Sequence, residues 1–494
     1  MYRRLLALIL LCLAAPALAH APAARAPAPS IQQQVESALG AAPPGARFGL
    51  LVVDEQGREV VSLNPDQRFI PASNTKLFTT AAAYALLPGM DQPDVAGRTE
   101  VSLVTGSRHG VPTVLLLGQG DARMSSAPDC PSDCLAALAD AVAAKTKVVG
   151  DVVGDDTLFP DQRWSPGMSW NNLGSNDATA ASALSLDSNQ LIVRAVPGPD
   201  GQPPLLTVPP YITVRNEAVT GPVGGKAALV LEHTLNSREF RVYGELAADA
   251  GEWHEWVGVD DPAHYAAWTL AAMLKARGVR VTGKVRVQHR PINRADDPAQ
   301  RGGFMAPYSQ PDRIAPLARL TPPPLAEDVA VINKLSQNHH AELLLRRIAS
   351  QRGTGSLADG LAAEQALFTA AGIPRQGYDF SDGSGMSTYN RVSPRAAVAL
   401  LRWIAVQPWG PAWYASLPIA GVDGTLQRRF LGTPLAGNLT AKTGSLNATS
   451  AISGTFRAAS GRKLTFAFFA NDIPDGESAL AAMEAVLLVV AASN

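Results

Sequence analysis

The sequence predicts a mixed α/β domain interrupted by a long insertion, with an all-β module nested inside that insertion. Three observations carry the prediction. Apolar strand-like runs stand at both ends, at 48–53 and 59–63 and again at 448–456 and 463–470, while helical periodicity dominates the last third between them. Between 191 and 245 only short β-like runs occur, at 205–208, 211–214, 228–231 and 240–243. The chain has 494 residues, enough for roughly three domains at ~150 residues each.

The first residues are read as a secretory signal, 1–19. Arg3 and Arg4 form its charged start, 5–13 its apolar stretch, and Ala17-Leu18-Ala19 its cleavage site. The uncharged run from Leu5 to Ala19 contains Pro16 and falls short of the ~20 residues a membrane span needs. Cys12 follows Leu11 rather than a small residue, which does not fit a lipoprotein acceptor. Residues 20–30, rich in Ala and Pro, are expected to form a flexible leader. A helix at 31–39 follows, then a hairpin turning at Asp54-Glu55-Gln56-Gly57, then a helix from near Ser73 to Pro88-Gly89.

From 101 to 159, β runs at 113–117 and 148–153 flank an Ala/Leu helix at 134–144. Asp261-Pro262 supplies an N-cap and an N1 proline for a helix through Lys275, and a strand is predicted over 279–288. Helices are expected around 328–335, 339–350 and 357–371. The last helix, from Ser478, carries Glu484 and only eight uninterrupted apolar residues after it, so it reads as a core helix and not an anchor. With 46% hydrophobic and 17% charged residues, the composition excludes a disordered tail and a membrane transporter. A net charge of -1 offers no basic field for a nucleic acid.

Chemistry concentrates in three strings. Ser73 and Lys76, at a helix start, share one face by their spacing of three. Ser73 is equally suited to be an N-cap. A lysine in the first turn is unusual there, and the positive helix end would push it toward the neutral form that can take a proton from the serine. Ser336 and Asn338 bracket one residue between two helical runs, where they can relay a proton and hold a carbonyl, or simply cap a helix. Lys442-Thr443-Gly444-Ser445 sits on a strand. A lysine there can protect a sheet edge or bind a terminal carboxylate, and the glycine lets an extended backbone approach.

These strings, in this order, resemble the S-x-x-K, S-x-N and K-T-G signature of the serine penicillin-recognising enzymes. The 263 residues from Ser73 to Ser336 are too many for a compact β-lactamase. That gap is similar to the one in the low-molecular-mass class C penicillin-binding proteins, the D-alanyl-D-alanine carboxypeptidase/endopeptidases of the bacterial envelope. Further matches lie at 69–80, 118–121, 334–344, 382–385, 390–394 and 421–426. The resemblance implies an α/β (α+β) penicillin-binding/β-lactamase-like transpeptidase domain with a central antiparallel sheet flanked by helices, over 31–95 and 305–494. It also implies an inserted domain II, 96–190 and 255–304, and a nested all-β domain III, 191–254.

By the same resemblance, Ser73 would be the nucleophile, Lys76 its base and Ser336 the proton relay. Asn338, Lys442, Thr443, Gly444 and Ser445 would bind substrate, with the N–H groups of Ser73 and Ser445 as oxyanion hole. Asp156, or its neighbour Asp155, would read the amino end of a diaminopimelate side chain. No glutamate is assignable as a deacylation base. The family's K-T-G is commonly followed by threonine, and Ser445 keeps the hydroxyl. The implied activity is an exported, periplasmic serine DD-peptidase acting on peptidoglycan stem peptides and on D-Ala-diaminopimelate cross-links, acylated by β-lactams and needing no cofactor or metal. The alternatives are a β-lactamase or D-aminopeptidase with the same strings, or a non-catalytic peptidoglycan-binding scaffold.

Cys130 and Cys134, four apart, are expected to close a disulfide in an oxidising compartment, since no second Cys/His pair accompanies them as a zinc site would need. His339-His340 are expected to pack or face solvent. Trp164, Trp170, Trp253 and Trp256 are expected to pack, although they could stack on sugar rings.

Overall fold

The computed structural model describes residues 29–105, 110–302 and 314–493. The expected signal 1–19 and nearly all of the leader 20–30 lie outside them. Five antiparallel strands form the central sheet, in the order Thr440–Leu446, Thr449–Arg457, Lys463–Asn471, Arg47–Val53, Glu59–Leu63. Both faces of this sheet are covered, which is why 48–53 reads as an unbroken apolar run instead of alternating. Leu50 and Val52 point to the helices Ile31–Leu39 and Leu480–Ser493, packing with Val35, Val486 and Leu487. Leu51 and Val53 point the other way, into a core with Phe78, Leu344, Phe368 and Leu401.

That second core is built by the helices Thr75–Leu86, Leu325–Lys334, Asn338–Arg352, Leu357–Ala370 and Pro394–Ala405. The last of these was not expected, although Ser393 caps it (its Oγ accepts from the Ala396 N–H) and Pro394 occupies its first turn. The helix Thr75–Leu86, which follows Ser73 in the chain, is buried over Thr75 to Ala83 by this packing.

The insertion folds around its own five-stranded sheet, in the order Val285–Arg290, Val152–Pro160, Thr113–Leu117, Glu100–Val104, Ala318–Arg319, with helices Leu135–Lys145 and Pro262–Ala276 against it. Two three-stranded sheets complete it: Ala227–His233, Glu239–Ala247, Thr213–Gly221 and Trp253–Gly258, Gln190–Val196, Leu205–Thr207. Phe240 and Tyr211 of the nested module share one apolar cluster with Val114, Leu138 and Leu270. Ala318–Arg319, inside the expected main-domain span 305–494, pairs antiparallel with Glu100–Val104 at the edge of the insertion's sheet.

The single strand expected over 279–288 is two strands, Arg280–Val281 and Val285–Arg290. Gly283 separates them where a Cβ would lie 2.2 Å from an Asp151 carboxylate oxygen. Cys130 and Cys134 are joined by a disulfide. No helix among the described residues is long and apolar enough to cross a membrane.

Candidate active site

Ser73 sits in a one-turn 3-10 helix, Ala72–Asn74, that runs into Thr75–Leu86. It is not an N-cap: neither helix start has a side-chain cap hydrogen bond. The hydroxyl is instead held by Lys76, whose Nζ lies 2.8 Å from Ser73 Oγ, 2.5 Å from Asn338 Oδ1 and 2.5 Å from the Ser384 carbonyl. Ala72, just before the serine, has φ +46°, a left-handed conformation that a non-glycine residue adopts only when its surroundings enforce it.

Two glycines let neighbouring backbone close on this turn. A Cβ on Gly385, itself at φ +89°, would lie 2.0 Å from the Ala72 carbonyl oxygen. A Cβ on Gly444 would lie 2.8 Å from the Pro71 carbonyl oxygen and 3.0 Å from the Ser73 nitrogen. The backbone that approaches the K-T-G glycine is thus the chain's own serine turn. The strand that carries this glycine, Thr440–Leu446, is the edge of the central sheet.

Lys76 is fully buried, and burial pushes its pKa down to about 7 against the opposing carboxylates of Asp382, Glu342 and Asp177. Desolvation is therefore the main cause of the lowering. Lys442 is buried as well, not displayed on the sheet edge, and burial and then the Lys76 cation push it well below its ordinary value. Its Nζ lies 2.9 Å from Ser336 Oγ and 2.9 Å from the Thr443 carbonyl. It lies behind Ser336, and Thr443 and Ser445, not the lysine, line the cleft.

Ser336 bridges the helices Leu325–Lys334 and Asn338–Arg352 at φ +62°. The cap of the second helix is Gln337, whose side chain accepts from the His339 N–H at 3.2 Å. Ser336 and Asn338 are thereby free of capping. Asn338 offers its oxygen to Lys76, and its Nδ2 donates to the Asp177 carbonyl at 2.8 Å.

A cleft of about 460 Å³ opens over these groups, lined by Ser73, Ser336 and Asn338 on its floor and Thr443, Gly444 and Ser445 on one wall. The inserted domain contributes the facing wall with Asn172, Ser175 and Asp177. Asp156 is not part of it. That side chain is buried, accepting from Ser182 Oγ at 2.7 Å and paired with His289 Nδ1 at 2.9 Å. Asp155 accepts from its neighbour Thr157 at both N and Oγ1. The acid that the insertion places in the cleft is the exposed Asp177.

Beneath the cleft lies a network that sequence reasoning left without a role. Glu342 Oε1 accepts the Gly383 and Ser384 N–H groups at 3.0 Å each, and Oε2 accepts from Ser165 Oγ and Arg346, both at 2.9 Å. Burial would raise the Glu342 carboxyl, but Arg346 outweighs it and holds the pKa below its ordinary value. Asp382 accepts from the Gly385 and Ser387 N–H groups and from Asn390 Nδ2. Burial, then the Glu342 charge, pushes it up to about 6. Together these carboxylates fix the 382–385 turn whose Ser384 carbonyl holds Lys76. His339 and His340 are buried, His340 paired to Asp328.

The sequence profile of the D-Ala-D-Ala carboxypeptidase 3 (S13) family matches residues 31–301 and 303–492. The chain belongs to this family. The D-alanyl-D-alanine carboxypeptidase of Actinomadura sp. (strain R39) is 32% identical to it, over 97% of this chain and 87% of that protein. The D-alanyl-D-alanine carboxypeptidase DacB of Haemophilus influenzae is 26% identical, over 88% of this chain and 87% of that protein. Among solved structures, penicillin binding protein 4 (dacB) from Haemophilus influenzae shares the fold. Its TM-score is 0.78 at 23% identity, covering 92% of this chain and 98% of that one. Membership in the D-Ala-D-Ala carboxypeptidase family makes the chain a serine-type DD-carboxypeptidase, the expectation drawn from its three strings.

Proposed function

We propose that the enzyme releases the terminal D-alanine of peptidoglycan stem peptides through an acyl-serine intermediate on Ser73. The observation that carries this is the 2.8 Å contact between Ser73 Oγ and a buried Lys76 whose pKa of about 7 leaves a large neutral fraction at neutral pH. Neutral Lys76 takes the Ser73 proton as Oγ attacks the carbonyl carbon of the penultimate D-alanine. The oxyanion forms against the N–H groups of Ser73 and Ser445. Ser336, held 2.9 Å from Lys442 Nζ, gives its hydroxyl proton to the leaving amine as the C–N bond breaks, and the proton held by Lys76 is relayed back to Ser336, leaving Lys76 neutral again. Neutral Lys76 then takes a proton from water as the water oxygen attacks the ester carbonyl, and returns it to Ser73 Oγ as the ester C–O bond breaks.

The Thr443 and Ser445 hydroxyls, which line the cleft, receive the terminal carboxylate. Asp177, in place of Asp156, meets an ammonium group of the stem side chain. The same bond after D-alanine in a D-Ala-diaminopimelate cross-link fits this scheme, because only the leaving amine differs. Export to the periplasm and acylation of Ser73 by β-lactams complete the proposal.

Incubation with a fluorescent penicillin, followed by intact mass, tests it. A stable adduct in the wild type and none in folded Ser73→Ala is expected. No adduct in the wild type, or an adduct that persists in the variant, would overturn the assignment of Ser73. Cross-linked muropeptide dimers test the endopeptidase arm: monomers are expected, and loss of a single D-alanine alone would remove that arm.

A further inference from the structure

Behind the wall formed by Asn172, Ser175 and Asp177 lies a second cleft of about 360 Å³, entirely on the insertion. It falls within the roughly 300–1,000 Å³ typical of ligand sites. Ser175 lines both clefts, so the second adjoins the catalytic one. Trp170 and Trp256 line it, 75% and 42% exposed, together with the exposed Val230 and Leu235. Trp164, by contrast, is tied to the Ala178 carbonyl by its Nε1 at 2.9 Å and packs as expected. Two open indoles on one side of a catalytic groove form the kind of apolar patch that marks a binding surface.

The rim is polar. Asn171, Glu232, His233 and Glu255 line it, with Glu232 paired to Arg241 at 3.4 Å, and no lysine or arginine lines it among the described residues. With no cation in its lining to bind a stem-peptide carboxylate, it suits a neutral ring with an apolar face and hydroxyls at its edge. Indole faces cover the first, and the amide and carboxylate oxygens accept from the second.

We propose that the Trp170–Trp256 cleft is a sugar subsite that holds a neutral N-acetylated hexosamine of the glycan strand carrying the stem peptide being cleaved. This rests on the proposed peptidoglycan substrate, and it assigns the insertion a part in choosing polymer over free peptide. Trp256 lies in the strand Trp253–Gly258, pinned by its pairing with Gln190–Val196, whereas Trp170 lies in the 3-10 turn that ends at Asn172. One face of the sugar site is therefore continuous with the segment that forms the catalytic wall.

The test uses the full chain and two measurements. In Ser73→Ala protein, the N-acetylglucosamine trimer should quench tryptophan fluorescence saturably, and Trp256→Ala in the same background should weaken binding about tenfold. In active enzyme, Trp256→Ala should raise KM about tenfold for a disaccharide-pentapeptide, with kcat retained and with KM for the same peptide lacking sugars unchanged. Absence of trimer binding to folded Ser73→Ala protein overturns the proposal. So does an equal KM rise for both substrates, which would mean a structural role or a peptide occupant. Trimer binding by a wild type that cleaves neither peptide would defeat the substrate reading while leaving the sugar site standing, so the two failures are distinguishable.

Discussion

The floor and the far wall of the catalytic cleft are built on opposite plans. Lys76, Lys442, Glu342 and Asp382 lie buried in the main domain, each held by two or more fixed partners. Asp177, Trp170 and Trp256 lie exposed on the insertion. The difference follows from what each must do. A lysine becomes a base near neutral pH only if water is withheld from it, so the chemistry has to be buried. On the proposed function, recognition of a long polymer requires access, which an open wall provides.

The steepest way to break that contrast is at the floor. Lys76→Ala should lower penicillin acylation and D-alanine release by about 10²–10⁴-fold while far-UV circular dichroism stays native. Near-normal acylation by the folded variant would show that another group takes the serine proton. Gly444→Ala pushes a methyl toward the Ser73 nitrogen and the Pro71 carbonyl. A displacement of the nucleophile by a fraction of an ångström should cost on the order of 10²-fold in kcat/KM with little change in melting temperature.

Glu342→Ala strands the buried Arg346 and should cost about 3–5 kcal/mol in urea unfolding. A loss under about 1 kcal/mol would mean that Arg346 finds another partner. A subtler effect belongs to Glu364, a carboxyl buried among the helices beneath the same floor. Burial pushes it up to about 8 from an ordinary 4.5, so the folded protein holds a proton there that the unfolded chain releases. Stability is thus lost as pH rises from about 4.5 through about 8, and Glu364→Gln should flatten the fall in melting temperature across that window. At the wall, Asp177→Asn should change only KM, by a few-fold, for peptides with a free side-chain ammonium, as a partly exposed ion pair allows.

The floor was largely legible in the sequence because its chemistry needs particular residue types at fixed spacing: Ser73 with Lys76, Ser336 with Asn338, and Lys442-Thr443-Gly444 all converge on one cleft. What supports them was not legible. Glu342 and Arg346 stand four apart on a helix, a spacing indistinguishable from a solvent-exposed pair until the fold buries it. Asp382 and Ser384 read as a turn by composition, and the match at 382–385 gave them no role in holding Lys76. The expectation for Asp156 failed on strand parity. Along Val152–Pro160 side chains alternate, and the parity that buries Val152 and Gly154 also turns Asp156 inward, away from the cleft. Asp177 escaped notice because it sits in an irregular segment with no periodicity to place it.

The central claim is that burial makes Lys76 the base for Ser73. The rate constant for Ser73 acylation by penicillin, followed by intact mass at saturating and limiting drug from pH 5 to 9, tests it most directly. A rise with a single apparent pKa of about 7 in kcat/KM is the result expected. A rate that does not change over that range, or that rises only toward the pKa of an ordinary lysine near 10.5, would contradict it.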